Sequence, residues 1–172
     1  MAAVDVADLD SLPADAFIAA AAAWFEDAPR FLARLAAARP FHDESTLLAR
    51  AAAIADALPE DEQLELINAH PRLGATPASV SPASFQEQGY HRETTAAIAD
   101  LERLNDAYER RFGFRFCVFV NGRLRPDLVP VLESALHEDR GAEIRRALAD
   151  VVAIARDRRR RPSGVESPRV GA

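Results

Sequence analysis

Hydrophobic positions recur every three or four residues along most of this chain, the spacing of helices that bury one face. Phe17, Ala21, Trp24 and Phe25 predict a first helix. It begins at Ser11-Leu-Pro-Ala-Asp15, where the serine can cap, the proline suits the first turn, and the acid meets the positive helix end. Pro29 opens a second helix with Phe31, Leu32 and Leu35 on one face, and Pro40 ends it. Ser45 is the expected cap of a third, carrying Leu47, Leu48, Ala51, Ile54 and Leu58. A fourth runs from about Pro59 to Ala69 with Leu64 and Ile67 inward.

Residues 74–82 then read as a loop, and Ser81-Pro82 as the start of a short helix reaching about Gly89. The longest helical pattern spans about 92–112, with the stripe Ile98, Leu101, Leu104, Tyr108 and Phe112 and the stop Gly113. Two more helices are predicted at 126–137 and 142–158. Between them and the long helix lies Phe114-Arg-Phe-Cys-Val-Phe-Val120, a β-like run followed by Asn121-Gly122. It has no second strand to pair with, so it reads as a buried extended segment lining a pocket. The expected fold is all-α: one compact multi-helix domain over 11–161, a loose arm at 1–10 and a flexible tail at 162–172.

Composition supports this and narrows the function. The chain has 172 residues, of which 49% are hydrophobic, so one sizeable core can form. The net charge of −6 leaves no broad basic field, which argues against a nucleic-acid partner. No apolar run approaches the ~20 residues of a membrane span, and the acidic N-terminus is unlike a signal peptide. Cys117 is the single cysteine, which excludes an internal disulfide and suits a reducing cytoplasm. No metal cluster and no phosphate-cradling glycine loop is present in the sequence.

Three polar features could carry chemistry. In His70-Pro71-Arg72-Leu73-Gly74 the proline pushes His70 out of helical geometry, so it should end the fourth helix. The partial negative charge there favours imidazolium and makes His70 an acid or base near neutral pH. Local sequence alone favours a histidine that caps the last carbonyls. Ser84, Glu87 and Gln88 share one helix face, offering a hydroxyl, a carboxylate and an amide to a nitrogen-rich small molecule or simply to water. In the arginine-rich run at 156–161, Arg158 can point inward to meet a substrate carboxylate, while Arg156, Arg159, Arg160 and Arg161 are expected in solvent. His42, His91 and His137 are read as surface residues, and Cys117 as a buried filler.

Together these segments resemble the 2-oxo-4-hydroxy-4-carboxy-5-ureidoimidazoline (OHCU) decarboxylase family. The carrying motifs are Ile67-Asn-Ala-His-Pro-Arg-Leu-Gly74, Ser84-Phe-Gln-Glu-Gln88 and Leu104-Asn-Asp-Ala-Tyr-Glu-Arg-Arg-Phe-Gly-Phe-Arg-Phe116, with a last helix ending Ile154-Ala-Arg-Asp-Arg158. The resemblance implies a helical homodimer without metal or organic cofactor, converting OHCU to (S)-allantoin in urate degradation. It places catalysis on His70 and Glu87, and substrate contacts on Pro71, Ser84, Gln88, Arg158 and the backbone of Phe116, Cys117, Val118, Phe119 and Val120. Arg115 stands where the family pattern has proline, Arg159 where it has leucine and Arg30 where tryptophan is common; the links around the second motif are short. Two other readings remain at this level: a related enzyme on another ureido or cyclic-amide substrate, and a non-catalytic helical module with His70, Ser84 and Glu87 exposed and apart.

Overall fold

The computed structural model describes residues 5–74 and 95–161, with side chains in the second stretch from residue 98 onward. Among these residues the chain is all helical: α1 Val6–Asp10, α2 Ala14–Phe25, α3 Pro29–Ala37, α4 Glu44–Ala57, α5 Glu60–Ala69, α6 Thr95–Phe112, α7 Arg125–Ala135 and α8 Arg140–Arg160. The long α8 forms the hub and packs against α2, α4 and α5, while α7 packs along α6. Its buried stripe includes Ile144, Leu148, Val151 and Ala155, the positions the helical period selects.

Local chemistry explains most boundaries. Pro29 sits in the first turn of α3, where its missing N–H costs nothing. Gly113 follows α6 with φ 80°, a left-handed turn that glycine enters freely. Some starts differ from expectation. α4 is capped by Asp43, whose carboxylate accepts from Thr46 N–H at 2.7 Å, and Ser45 lies inside the helix. Ser11 closes α1 instead of opening α2, donating its hydroxyl to the Ala7 carbonyl at 2.9 Å.

The arm expected at 1–10 is also different from residue 5 onward. α1 buries Val6 and Leu9, and both Asp10 oxygens accept from Phe41 N–H. One of them also accepts from His42 N–H at 2.8 Å. A five-residue helix has little intrinsic stability, so this docking is what holds it. The tail at 162–172 and the predicted short helix after Ser81 lie outside the described residues.

Among the described residues the segment at 114–120 is neither helix nor paired strand, as predicted, and Phe114, Phe116, Cys117 and Val120 are buried. Phe114 and Phe116 meet the Tyr108 ring edge-on, at centroid distances of 5.6 and 5.1 Å. Such edge-to-face contacts hold a strand-like run without a sheet. Among the described residues no helix is long and apolar enough to cross a membrane.

Candidate functional site

His70 is where α5 stops. Its backbone turns to φ −76°, ψ 136°, as the following proline requires, and its N–H bonds back to the Ile67 carbonyl at 3.2 Å. The imidazole is only 3% exposed. Nδ1 lies 3.2 Å from the Leu66 carbonyl oxygen. A carbonyl only accepts, so Nδ1 carries the proton and the neutral ring presents Nε2 as an acceptor. Nε2 is buried and has no hydrogen-bond partner among the described residues. One ring nitrogen thus meets the last turn of the helix, and the other makes no hydrogen bond among the described residues.

The direction of the His70 pKa corrects the expectation from the helix end. It falls from 6.5 to about 4, chiefly through burial and then through the Arg158 charge, with Glu26 and the Leu66 bond acting in the opposite sense. Loss of water outweighs the half-charge of the helix terminus, so the resting imidazole is neutral at pH 7.

Arg158 points inward as predicted and is 8% exposed. Nη2 pairs with Glu26 Oε1 at 2.9 Å, and Nη1 donates to the Trp24 carbonyl at 3.1 Å. The inward guanidinium thus comes with a carboxylate partner that sequence reasoning did not identify. Arg159, expected in solvent, is 5% exposed. Its guanidinium lies over the Trp24 ring, 4.4 Å from the centroid, and reaches Glu44 at 3.5 Å. Arg156, Arg160 and Arg161 are exposed, as are His42 and His137.

The residues after His70 are held by α6. Arg72 pairs with Asp106 at 2.6 Å and Glu109 at 2.8 Å. The Asn105 amide donates to the Leu73 carbonyl at 2.9 Å, and Gly74 turns with φ 80°. These α6 residues were legible only as part of a motif; their spacing along one helix face was the available signal. From the other side, Arg115 donates to the carbonyls of Asn68 and His70 at 2.9 and 3.3 Å. Pro71 is half-buried.

The backbone of the extended segment was expected to offer free groups to a ligand. Much of it is already engaged by the protein. Arg146 donates to the Cys117 carbonyl at 2.9 Å, and Arg123 to the carbonyls of Phe119 and Val120 at 2.6 and 3.0 Å. Phe119 N–H bonds to the Asp150 carboxylate. A carbonyl keeps a second lone pair, so the segment is a braced wall that can still accept. Val118 and Phe119 are half-buried. Ser84, Glu87, Gln88 and His91 lie outside the described residues. Among the described residues no group of three or more His, Cys, Asp or Glu could hold a metal ion.

Known proteins share this fold and sequence. The chain is 35% identical over 137 residues to the uric acid degradation bifunctional protein PucL of Bacillus subtilis (strain 168), covering 78% of this chain and 28% of that protein. It thus spans less than a third of that relative's length. It is 28% identical over 158 residues to the 2-oxo-4-hydroxy-4-carboxy-5-ureidoimidazoline decarboxylase of Halalkalicoccus jeotgali, covering 90% of this chain and 89% of that one. The fold superposes on a crystal structure of an OHCU decarboxylase determined in the presence of (S)-allantoin, with a TM-score of 0.66 and 22% identity over 77% of this chain and 89% of that chain. The family model for OHCU decarboxylase matches residues 10–160, and the chain belongs to that family.

Proposed function

We propose that this protein decarboxylates OHCU to (S)-allantoin in urate degradation, as a carbon–carbon lyase that works without a cofactor. The observation that carries this reading is His70: a buried neutral imidazole, fixed through Nδ1, with Nε2 unpartnered among the described residues and the Arg158 charge acting on it. Family membership over residues 10–160 supplies the substrate.

The chemistry follows from the substrate's own bonds. When the carboxylate leaves as CO₂, its bonding pair passes into the conjugated ring. A proton must leave the substrate hydroxyl, and one must be added to a single face of the ring carbon. Neutral Nε2 accepts the hydroxyl proton. The resulting imidazolium, destabilised by burial, is a strong acid and returns a proton to carbon. Net, one proton moves from oxygen to carbon, a second proton from solvent neutralises the charge that the departing carboxylate leaves on the ring nitrogen, and no electron is gained from or lost to an outside reagent. Glu87 is assigned as the partner that orients His70 and holds substrate N–H groups. Arg158 anchors the anionic end. Pro71, Ser84, Gln88 and the 116–120 backbone complete the pocket. We further assign the protein to the cytoplasm and to a homodimer, an assembly that sedimentation at micromolar concentration would check.

The deciding experiment generates OHCU in situ with urate oxidase and hydroxyisourate hydrolase and follows circular dichroism against the uncatalysed decay. Acceleration with an excess of (S)-allantoin is expected. His70→Ala and Glu87→Ala should each lose ~10²–10⁴ in rate with helix content unchanged. Wild type that neither accelerates the decay nor biases the product's hand would overturn the assignment.

A further inference from the structure

Glu26, in the link between α2 and α3, adopts φ 60° and ψ −171°. This corner of backbone space is essentially reserved for glycine, because a Cβ there is crowded by the chain. Glu26 nonetheless closes the link tightly, its carbonyl accepting from Ala28 N–H at 3.1 Å. Its carboxylate turns inward rather than to solvent. Oε1 lies 2.9 Å from Arg158 Nη2, with the two side chains 13% and 5% exposed. The neighbouring Trp24 carbonyl accepts from Arg158 Nη1 at 3.1 Å, so the same short stretch grips the guanidinium twice. Among the described residues, Arg158 of α8 and Glu26 of this link are the charged groups whose fields reach the His70 ring. Glycine would relax the backbone at this position. What glutamate adds in exchange for the strain is its carboxylate.

We propose that Glu26 is a positioning residue for the decarboxylation, holding Arg158 beside the buried imidazole and balancing its charge. This rests on the function proposed above. An unbalanced guanidinium would oppose every proton that His70 takes up. The Glu26–Arg158 pair is neutral as a whole, so Arg158 can stay aimed at an incoming carboxylate while the imidazolium forms. Two jobs follow from one carboxylate: orientation of Arg158, and electrostatic support for the protonated ring. Both act in the reacting complex more than in the initial encounter, so kcat should suffer more than KM.

The test uses the full chain and three substitutions. Glu26→Gln keeps the shape and an acceptor for Arg158 but removes the charge. Its kcat for OHCU should fall by ~10²-fold with KM little changed, the penalty expected when a binding group is misplaced. In substrate-free protein, the His70 ring followed by NMR should titrate at lower pH than in wild type. Glu26→Gly and Glu26→Ala both delete the carboxylate, but only glycine also relieves the backbone. The glycine variant should therefore melt at higher temperature than the alanine variant while sharing its loss of kcat. A purely structural Glu26 predicts wild-type kcat in the Gly variant. Wild-type kcat together with an unmoved His70 titration in Glu26→Gln would overturn the proposal. Should the Gly variant fail to fold, the Gln variant decides alone. The titration is read without substrate, so failure of wild type to act on OHCU would sink the functional reading and leave the Glu26 result intact.

Discussion

Asn68 and Arg115 are bonded to each other twice across the mouth of α5: Asn68 Oδ1 accepts from Arg115 N–H at 2.9 Å, and the Asn68 carbonyl accepts from the Arg115 guanidinium, also at 2.9 Å. The guanidinium reaches on to the His70 carbonyl at 3.3 Å. The residue that departs from the proline of the family pattern therefore ties the extended segment to the histidine turn. Arg115→Ala keeps the backbone bond and loses the two guanidinium contacts. Because Arg115 is exposed and water can replace these bonds, the stability cost should be about 0.5–1 kcal/mol. The catalytic cost should be larger in proportion, since the His70 main chain loses a fixed point. Urea denaturation and steady-state kinetics on the same variant check both. Arg115→Ala with an unchanged kcat would show that the tie is dispensable.

A pH prediction follows from His70. The unfolded ring takes its proton near 6.5 and the folded ring only near 4. Between these values the unfolded state binds more protons, so folding stability is fully present above about pH 6.5 and declines as the pH falls toward 4. At 1.36 kcal/mol per unit, the displacement is worth on the order of 3 kcal/mol. His70→Gln removes the titration while keeping a polar ring-sized group. The difference in unfolding free energy between wild type and variant, measured from pH 8 to pH 4, should narrow across this window. A constant difference would mean that the folded ring protonates as readily as the unfolded one.

The core holds a second ionic cluster away from His70. Tyr108 donates its hydroxyl to Glu143 Oε2 at 2.7 Å, and Arg146 pairs with Glu143 at 2.8 Å and with Asp150 at 2.7 Å. Burial and the adjacent Glu143 carboxylate push the Tyr108 hydroxyl well above its ordinary pKa, so it stays protonated and donates. Through Arg146 the cluster holds the Cys117 carbonyl, and through Asp150 it holds Phe119 N–H. Tyr108→Phe removes one donor and leaves Glu143 paired with Arg146, so about 1–2 kcal/mol should be lost. Glu143→Ala leaves the buried Tyr108 hydroxyl without its acceptor and the half-buried Arg146 guanidinium with only Asp150 as an ionic partner among the described residues, and should cost about 2–3 kcal/mol. The two losses should be non-additive in the double variant, because they share one carboxylate. Thermal unfolding of the three variants checks the order.

The helices were readable because their period reflects a single buried face, and that face is a local property of each segment. Ile144, Leu148, Val151 and Ala155 could be assigned inward without knowing what they pack against. His70 at the end of α5 and the inward Arg158 were readable for similar reasons. The Ser45 cap was misread locally, since Asp43 two residues earlier fills that place; the other failures are tertiary. The His70 pKa runs against the helix dipole because burial and a charge from α8 decide it. Glu26 gave no sign of its role, since a positive φ at a glutamate is imposed by the link it closes. α1 exists because Asp10 finds the backbone of Phe41 and His42. Arg159 looked like part of a solvated run because nothing in its neighbours reports the indole waiting on α2.

That indole provides the last prediction. Trp24 is the only tryptophan of the chain, and the Arg159 guanidinium stacks 4.4 Å from its ring centroid while also facing Glu44. Desolvated cation–π pairs of this kind contribute up to about 2 kcal/mol. The arginine stem also excludes water from the ring. Arg159→Leu, the residue of the family pattern, keeps the apolar cover and loses the charge, so Trp24 emission should stay near its wild-type wavelength. Arg159→Ala uncovers the ring and should shift emission to the red, with a stability loss of about 1–3 kcal/mol. Arg159 also adjoins Arg158 in the chain, and Arg158 grips the Trp24 carbonyl. If uncovering the indole loosens that carbonyl, Arg159→Ala should weaken catalysis through Arg158 where Arg159→Leu does not. Equal kcat values for the two variants, beside unequal emission, would show that the Trp24 ring and its carbonyl respond independently.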